Sequence, residues 1–337
     1  GGLFVEKHVV EGRLSQNRLF VCATLRSETG DIMKILVTGA SGLLGLNLSL
    51  QMHGTHEIIG VDRSKLANTP FDLIKLDLLD LAALPKLLDE SKPDAVIHCA
   101  ANAHVDACEL TPDIASTLNA VLPGQLASAC AERDVRFLHI STDAVFDGTK
   151  EGIYTEDDAP NPLSVYALTK LDGEIAVLDA NPDAAVARVN FFGWSLSGSR
   201  SLSEFFVNNL RAGKNVNGFD DVYFCPMFVG DLADTLVGML EKSLSGLYHV
   251  VGSRAITKHE FGQAIAHQFG FDAGLINPIS VSDAGLTAKR SQNLRLSINK
   301  LSTALGREIP DFSTGLAKFY TQYQQGYPQK MRSYQQS

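Results

Sequence analysis

Continuous apolar runs, each stopped by Gly or a polar residue, alternate with helix-length stretches over residues 34–190. Runs of this length predict strands that are buried on both faces of a sheet. Their alternation with helices predicts an α/β fold in which ligands bind at the carboxyl ends of parallel strands. The predicted strands lie at 34–40, 56–62, 94–100, 136–142 and 184–190, and the predicted helices at 43–53, 80–91, 111–132 and 163–179.

The pattern changes after the last of these strands, where Gly-rich and polar loops separate the apolar segments. We therefore expect a first domain at 33–190, completed by 222–244, and a smaller C-terminal substrate-binding lobe at 191–325. Within that lobe the run at 246–252 predicts one more strand. A tail follows at 326–337.

Residues 1–32 precede the periodic pattern and need a separate interpretation. Their apolar stretch at 19–25 is short and is flanked by Arg18 and Arg26, which is too little for the core of a signal peptide, and their acidic residues argue against a transit peptide. We expect a disordered arm or a remnant of cloning, with no chemistry of its own.

Composition and charge limit the partners of the chain. The 337 residues carry a formal net charge of -9, which argues against a nucleic-acid-binding protein because such proteins present basic faces. Mean hydropathy is +0.03 and the sequence has no run of apolar residues long enough to cross a membrane. Five cysteines without a C-x-x-C pair favour a reducing cytoplasm over a disulfide framework or a zinc site.

The segment TGASGLLG at 38–45 places three glycines between the first predicted strand and the first predicted helix. Gly39, Gly42 and Gly45 let the backbone turn tightly and approach a pyrophosphate, and the helix N-terminus offers unpaired N–H groups. Asp62 follows 17 residues after Gly45, at the end of the second predicted strand, where a dinucleotide-binding unit needs an acidic residue. The sequence therefore predicts a Rossmann-type, doubly wound parallel sheet that binds a dinucleotide.

Two neighbouring residues bear on the choice between NAD and NADP. The Asp62 carboxylate can accept hydrogen bonds from both ribose hydroxyls of NAD and would repel the 2′-phosphate of NADP, whereas Arg63 can pair with that phosphate. NAD is favoured on this balance, and NADP stays open. Asp77 and Leu78 follow a third strand and are placed to meet the adenine, although a carboxylate that caps its own loop is a close alternative for Asp77.

The segment YALTK at 166–170 places Tyr166 and Lys170 four residues apart on a predicted helix, so their side chains share one face. An ammonium beside a phenol lowers the phenol pKa, and such a phenol can exchange a proton with an alcohol or a carbonyl while a nicotinamide carries hydride. Alone, the pair is typical of a helix surface. Thr142, a hydroxyl at a strand end 24 residues upstream, can hold the substrate oxygen against Tyr166.

Together these motifs resemble the extended short-chain dehydrogenases/reductases over residues 33–325. The motifs are TGASGLLG, HCAA at 98–101, STD before VF, and YALTK. The resemblance implies a catalytic triad of Thr142, Tyr166 and Lys170, with Lys170 also gripping the nicotinamide ribose, and it is compatible with a homodimer. The cofactor site that it implies consists of Gly39, Ser41, Gly42, Leu43, Leu44, Gly45, Asp62, Arg63, Asp77, Leu78, Cys99, Ala100, Ala101, Tyr166 and Lys170.

The segment 141–174 is similar to dTDP-4-dehydrorhamnose reductases and to the related regulatory beta subunit of methionine adenosyltransferase. Sugar-nucleotide dehydratases of the same superfamily have Thr-Asp-Glu, whose two carboxyl groups serve as acid and base, and Ala144 stands where that Glu would be. Dehydration is therefore disfavoured and epimerisation remains an alternative. The favoured reaction is the NAD(P)-dependent reduction of a nucleotide-linked 4-keto sugar, with the proton from Tyr166.

Candidate substrate residues lie near the triad or in segments that depart from the reductase pattern. Trp194 can stack on a sugar or base, or simply pack, and Arg290 can pair with a nucleotide diphosphate or lie on the surface. The loop at 102–109 mixes His, Asp, Cys and Glu, but no second cluster closes a metal site, so we expect no metal. The candidates are His104, Asp143, Ala144, Asn190, Trp194 and Arg290.

A non-catalytic NAD(P)-binding regulatory subunit would keep the same fold and the same cofactor pocket. The intact triad favours the enzyme, although a binding subunit can retain the same residues. The two hypotheses differ in whether a keto sugar is turned over.

Overall fold

The computed structural model describes residues 32–64, 66–286 and 288–335, so the arm expected at 1–32 lies outside the described residues except for Ile32. The strands are β1 Lys34–Thr38, β2 Glu57–Asp62, β3 Asp72–Lys75, β4 Ala95–His98, β5 Arg136–Thr142, β6 Ala185–Val189, β7 Phe191–Phe192, β8 Val216–Phe219, β9 Tyr223–Phe224, β10 Met227–Phe228, β11 Gly246–Val250, β12 Ile256–Thr257 and β13 Ile276–Ile279. The α-helices are α1 Leu43–Met52, α2 Leu84–Ser91, α3 Val105–Leu110, α4 Pro112–Ser116, α5 Leu122–Ala131, α6 Val165–Ala180, α7 Leu202–Arg211, α8 Val229–Glu241, α9 Lys258–Phe269, α10 Asn299–Leu305, α11 Phe312–Gln324 and α12 Tyr327–Ser333. None of the helices in these ranges is both long and apolar enough to cross a membrane.

Seven of the strands form one parallel sheet in the order β11-β6-β5-β4-β1-β2-β3. The strand order reverses between β1 and β4, so the loops that follow these two strands diverge and leave a crevice at the carboxyl edge of the sheet. The prediction of an α/β, Rossmann-type, doubly wound sheet is confirmed.

Both faces of the sheet are covered, which explains why its strands are apolar without alternation. Successive side chains of β1 point to opposite faces, so Ile35 and Val37 pack in one core with α1 and α8, whereas Leu36 packs in the other with α2 and α5. All three side chains are fully buried. The sheet is therefore a rigid platform that fixes the positions of its carboxyl-end loops.

The C-terminal part differs from the predicted division in two places. Strand β11, which falls within the lobe expected at 191–325, pairs in parallel with β6 and forms the edge of the main sheet. Helix α12, in the expected tail, packs back on the molecule, because Met331 is buried and the Tyr327 hydroxyl donates to Asn47 Oδ1 at 3.0 Å. A short apolar run predicts a strand but not the neighbour with which it pairs, which is why the sequence misplaced β11.

The remaining lobe is built on aromatic packing and short strand pairs. Phe192 contacts Phe228, Phe261, Phe312 and Phe319, with ring centroids 5.4 to 6.0 Å apart. Short pairs of strands, β7 with β10, β8 with β13 and β9 with β12, link this cluster to the carboxyl edge of the sheet. The lobe therefore places the start of α9 opposite the end of β5.

Candidate active site

The glycine loop forms a tight cradle between β1 and α1. Gly39 has a φ of +67°, and a Cβ atom there would lie 2.8 Å from the Cα of Ala100. A Cβ on Gly45 would overlap the carbonyl oxygen of Gly39. The backbone is thus open only where side chains are missing, and it presents the N-terminus of α1 with the predicted residues Ser41, Gly42, Leu43 and Leu44 to the crevice. This cradle fits the pyrophosphate of a dinucleotide.

Asp62 meets this loop directly, as the spacing predicts. Its Oδ2 accepts from the Ser41 backbone N–H at 2.9 Å and from the Ser41 hydroxyl at 2.8 Å, and its Oδ1 accepts from the Ser64 N–H at 2.9 Å. Arg63 is exposed beside it. The carboxylate is therefore anchored next to the cradle, where a ribose of the dinucleotide would bind.

The two residues after β3 have local roles in this structure. The Asp77 carboxylate accepts from the Leu79 N–H at 3.1 Å, which is the loop-capping alternative considered above. Leu78 is buried in the core beneath α2. Their contact with an adenine remains a prediction.

The loop after β4 forms the other wall of the cradle. Ala100 donates its N–H to Thr38 Oγ1 at 3.3 Å, and Thr38 Oγ1 also lies 2.7 Å from His98 Nδ1. Burial raises the pKa of the Cys99 thiol to about 12, so this thiol stays protonated. Cys99, Ala100 and Ala101 can therefore line a cofactor by shape rather than by charge.

Thr142 and Tyr166 come together at the carboxyl end of β5. Thr142 Oγ1 donates to Asp143 Oδ1 at 3.3 Å and accepts from the Ala144 N–H at 3.2 Å, and its hydroxyl group is close enough to Tyr166 to affect the phenol pKa. Burial raises the pKa of Tyr166 to about 12, the bond to Thr142 opposes this rise, and Asp143 adds to it. The phenol therefore holds a proton at neutral pH and can donate it.

Helix α6 brings Tyr166 and Lys170 to this point because of a close helix contact. Gly173 lies against the backbone oxygen of Asn119, where a Cβ would overlap it. Asn119 belongs to a π-helical turn at Thr117–Val121 between α4 and α5, and Pro123, four residues later, has no N–H to donate to that oxygen. The irregular turn interrupts the single helix predicted at 111–132.

Lys170 does not contact the phenol in the way that the sequence suggests. Its Nζ donates to the Ile140 carbonyl at 2.6 Å and lies 3.1 Å from His139 Nε2. Burial lowers the pKa of Lys170 to about 8, against the opposing effect of Glu174. The expected lowering of the Tyr166 pKa by Lys170 is absent from this arrangement, because burial governs the phenol and the ammonium is held elsewhere.

Asp143 and Asn190 add a polar pair beside the triad. Asn190 Nδ2 donates to Asp143 Oδ2 at 2.6 Å. Burial raises the pKa of Asp143 to about 6, although the bond from Asn190 and the charge of Lys258 lower it. The carboxyl group therefore titrates close to neutral pH and can accept or donate a hydrogen bond.

A cleft of about 210 Å³ opens over these residues. Asp143, Ala144, Tyr166 and Asn190 line it. Three cationic side chains, those of Lys258, Lys289 and Arg290, also line it and form its cationic wall. Of these three, only Arg290 is predicted from the sequence, because no local pattern distinguishes Lys258 at the start of an ordinary helix from a surface lysine.

Two of the predicted substrate residues lie away from the cleft. His104 is an exposed helix cap, since its Nδ1 accepts from the Ala107 N–H at 3.2 Å. Trp194 is buried, stacks on Phe319 with centroids 4.1 Å apart, and donates its indole N–H to the Phe319 carbonyl at 3.2 Å. Packing, the alternative considered for Trp194, accounts for its position.

Known proteins share this architecture along most of the chain. "Probable low-salt glycan biosynthesis reductase Agl14" of Haloferax volcanii is 36% identical over 290 residues, covering 85% of this chain and 96% of that protein. The mouse protein "Methionine adenosyltransferase 2 subunit beta" is 34% identical over 308 residues, covering 88% and 90%. A crystal structure of a dTDP-4-dehydrorhamnose reductase from Clostridium acetobutylicum superposes with a TM-score of 0.75 at 27% identity, covering 87% of this chain and all of that one.

A family model agrees with these similarities and with the geometry of the site. The model, described as "RmlD substrate binding domain", matches residues 33–325. That range contains the glycine cradle, the triad and the cationic wall of the cleft. The chain therefore belongs to the RmlD substrate-binding domain family.

Proposed function

We propose that this chain is an NAD(P)-dependent reductase of a nucleotide-linked 4-keto sugar. The observation that carries the proposal is that the Tyr166 phenol, beside Thr142, opens onto the same cleft as the cationic side chains of Lys258, Lys289 and Arg290. A proton donor and a cationic wall are what the reduction of a carbonyl on an anionic carrier requires. The reductases among the similar proteins support the same reaction class.

Different residues of the chain have different roles in the proposed reduction. A nicotinamide held at the glycine cradle supplies the hydride. Thr142 and Tyr166 hold the carbonyl oxygen between their hydroxyl groups, and Tyr166 gives its proton to that oxygen as negative charge develops there. The Lys170 ammonium, held by His139 and the Ile140 carbonyl, would bind the ribose of the nicotinamide.

The substrate class follows from the side chains that line the cleft. Phosphate oxygens pair with ammonium and guanidinium groups, so the wall of Lys258, Lys289 and Arg290 suits a nucleotide diphosphate. The Asp143 carboxyl and the Asn190 amide, which line the same cleft, suit the hydroxyl groups of a sugar. Asn190 and Asp143 therefore orient the ring, and the cations hold its carrier.

Dehydration and epimerisation fit this cleft less well. Ala144, which lines the cleft next to Asp143, provides no second carboxyl group for the elimination of water. Net reduction requires one proton donor and one hydride, and Tyr166 supplies the proton. Ala144 therefore supports reduction over dehydration, and the reductase relatives favour it over epimerisation.

A regulatory, non-catalytic role is the second candidate, because the mouse relative at 34% identity carries the name of a subunit. Such a protein needs the fold and the cradle but not a proton donor facing an open cleft. The placement of Tyr166 at the cleft supports the enzyme.

We also propose that the chain forms a homodimer in the cytoplasm. Four large apolar side chains, Ile114, Val121, Leu168 and Ile175, are 45 to 53% exposed and lie on α4, α6 and the π-helical turn. Leu168 and Ile175 are seven residues apart on α6, which places them on one face of that helix, and Ile114 and Val121 lie on α4 and the turn that follows it. The cysteines of the described residues are free, which supports a reducing compartment.

The test of the reaction is the oxidation of NADH or NADPH, followed by absorbance, with a panel of 4-keto sugar nucleotides. We expect turnover in the wild type and a fall in kcat of about 10² to 10⁴ in Tyr166→Phe, because the general acid is lost. Tyr320→Phe, on α11 and outside the cleft, is the matched control and should retain wild-type rates. Wild-type protein that turns over no keto sugar but captures a methionine adenosyltransferase catalytic subunit would establish the regulatory role instead.

A further inference from the structure

His139 lies in β5, three residues before Thr142, and its imidazole is fully buried. Its Nε2 is 3.1 Å from the Nζ of Lys170. An ammonium can only donate, so the Nε2 atom must carry the lone pair and the ring must be neutral with its proton on Nδ1. The contact therefore fixes both the charge and the tautomer of the imidazole.

We propose that His139 is a positioning residue that, together with the Ile140 carbonyl, fixes the Lys170 ammonium in place beneath the carboxyl end of β5. These two acceptors take two of the three N–H groups of Lys170. The third N–H then stays available to bind the cofactor. The inference rests on the proposed reductase function and extends it to a residue that does not itself touch the substrate.

The imidazole of His139 is fixed by a stacked neighbour. The rings of His139 and His98 stack with centroids 5.5 Å apart, and His98 Nδ1 lies 2.7 Å from Thr38 Oγ1. Thr38 Oγ1 in turn accepts the N–H of Ala100, which lies against Gly39. A continuous column of contacts therefore runs from the cofactor cradle through two imidazoles to Lys170.

Packing alone does not account for a histidine at this position. The Nδ1 of His139 is buried, and among the described residues it has no hydrogen-bond partner. A buried polar group without a partner destabilises the fold, and an apolar side chain of similar size would avoid that cost. An apolar side chain at this position could not accept a hydrogen bond from Lys170, so this contact explains why a histidine is present.

The charges around this contact keep the imidazole neutral. Burial holds the pKa of His139 well below its usual value, and the charge of Lys170 lowers it further. The other titratable groups that act on the contact come from two sides, His98 and Cys99 from β4 and the loop after it, and Glu174 from α6. Glu174 is itself paired with Arg188 of β6. Over the pH range of an assay, Lys170 is therefore the member of the pair that titrates.

The first test compares pH profiles of kcat/KM for wild type, His139→Phe and His139→Gln. Loss of the Nε2 acceptor destabilises the Lys170 ammonium and lowers its pKa. In His139→Phe we therefore expect the alkaline limb of the kcat/KM profile to move to lower pH by about one unit. Gln offers an acceptor oxygen and should restore most of the wild-type limb. His249→Phe removes another buried imidazole, from β11, and should leave the limb unchanged. An alkaline limb in His139→Phe that coincides with the wild type would overturn the proposal.

The second test does not need turnover or a fully stable Phe variant. In ¹⁵N-histidine NMR spectra of the cofactor-free protein, we expect His139 to be neutral at pH 7 with its proton on Nδ1, and its Nε2 resonance to shift in Lys170→Met. A proton on Nε2, or a resonance indifferent to Lys170→Met, would refute the positioning role. Absence of wild-type turnover with the expected spectra would instead count against the reductase proposal and leave the contact established.

Discussion

Glu174→Gln should show how much the fold around the triad depends on one buried ion pair. The Glu174 and Arg188 side chains are 4% and 2% exposed. Arg188 Nη2 lies 2.7 Å from Oε2, and Nε lies 2.9 and 3.2 Å from the two carboxylate oxygens. The Ser141 hydroxyl, next to Thr142, donates to the same carboxylate. The pair thus ties α6, which carries Tyr166 and Lys170, to the two central strands β5 and β6.

The expected loss is large because the change leaves a guanidinium buried without its counter-charge. Beyond Glu174, the Arg188 guanidinium lies 4.9 Å from the ring of Phe146, which is not a counter-charge. Removing one partner of a buried pair costs about 3 to 5 kcal/mol, which for a chain of this length corresponds to a fall in Tm of about 4 to 8 °C. Replacing both partners with apolar residues, Glu174→Leu with Arg188→Met, should recover most of the loss because no charge stays buried.

The assay is urea-induced unfolding followed by circular dichroism, with thermal unfolding as a second measurement. Glu90→Gln is the matched control, because Glu90 pairs with Lys86 at 3.7 Å while both side chains are at least 70% exposed. An exposed pair of this kind contributes less than about 1 kcal/mol. Equal losses in Glu174→Gln and Glu90→Gln would refute the reasoning.

Three further predictions concern the cofactor and the cleft. Gly45→Ala should weaken NADH binding about 10- to 100-fold in a fluorescence titration, because its Cβ would overlap the Gly39 oxygen. Gly54→Ala is the control and should bind NADH normally, because there is open space at its Cβ. Equal affinities of the two variants would contradict the proposed cradle. Asp143 binds its proton more tightly in the folded state, where its pKa is about 6, so its contribution to stability falls as pH rises from about 4 to 6. The free energy of unfolding of Asp143→Asn relative to wild type should therefore rise by about 2 kcal/mol over that range, and parallel curves would contradict this. Lys258→Met should raise the KM for the sugar nucleotide at least about tenfold with a smaller change in kcat, since a charged hydrogen bond to phosphate is lost; an unchanged KM would remove Lys258 from the substrate site.

Much of the cofactor half of the site is a local property of the sequence. The glycine cradle, the acidic residue after β2 and the hydroxyl at the end of β5 all lie at junctions of a strand and the segment that follows it. Hydrophobic period and glycine spacing report such junctions directly, because they depend on neighbours along the chain. Tyr166 and Lys170 belong to the same class, since a separation of four residues places them on one helix face.

The substrate half and the fine electrostatics depend on contacts between distant segments. Lys258 reaches the cleft only because the aromatic cluster of the lobe positions the start of α9 opposite β5, and β11 joins the main sheet through pairing that its own residues do not encode. The partners of Lys170 likewise depend on tertiary packing, because they are atoms of His139 and Ile140 in β5, on which α6 packs.

By itself, the sequence determined the doubly wound sheet and predicted the dinucleotide cradle and the triad, because each depends on short-range pattern. Only the tertiary structure decided that Lys170 binds His139 and the Ile140 carbonyl, that Trp194 packs in the core, and that three cations line the same cleft as Tyr166. The physical reason is that burial and long-range packing set the charge, the pKa and the partner of a side chain. The spacing of residues along the chain does not report burial or long-range packing.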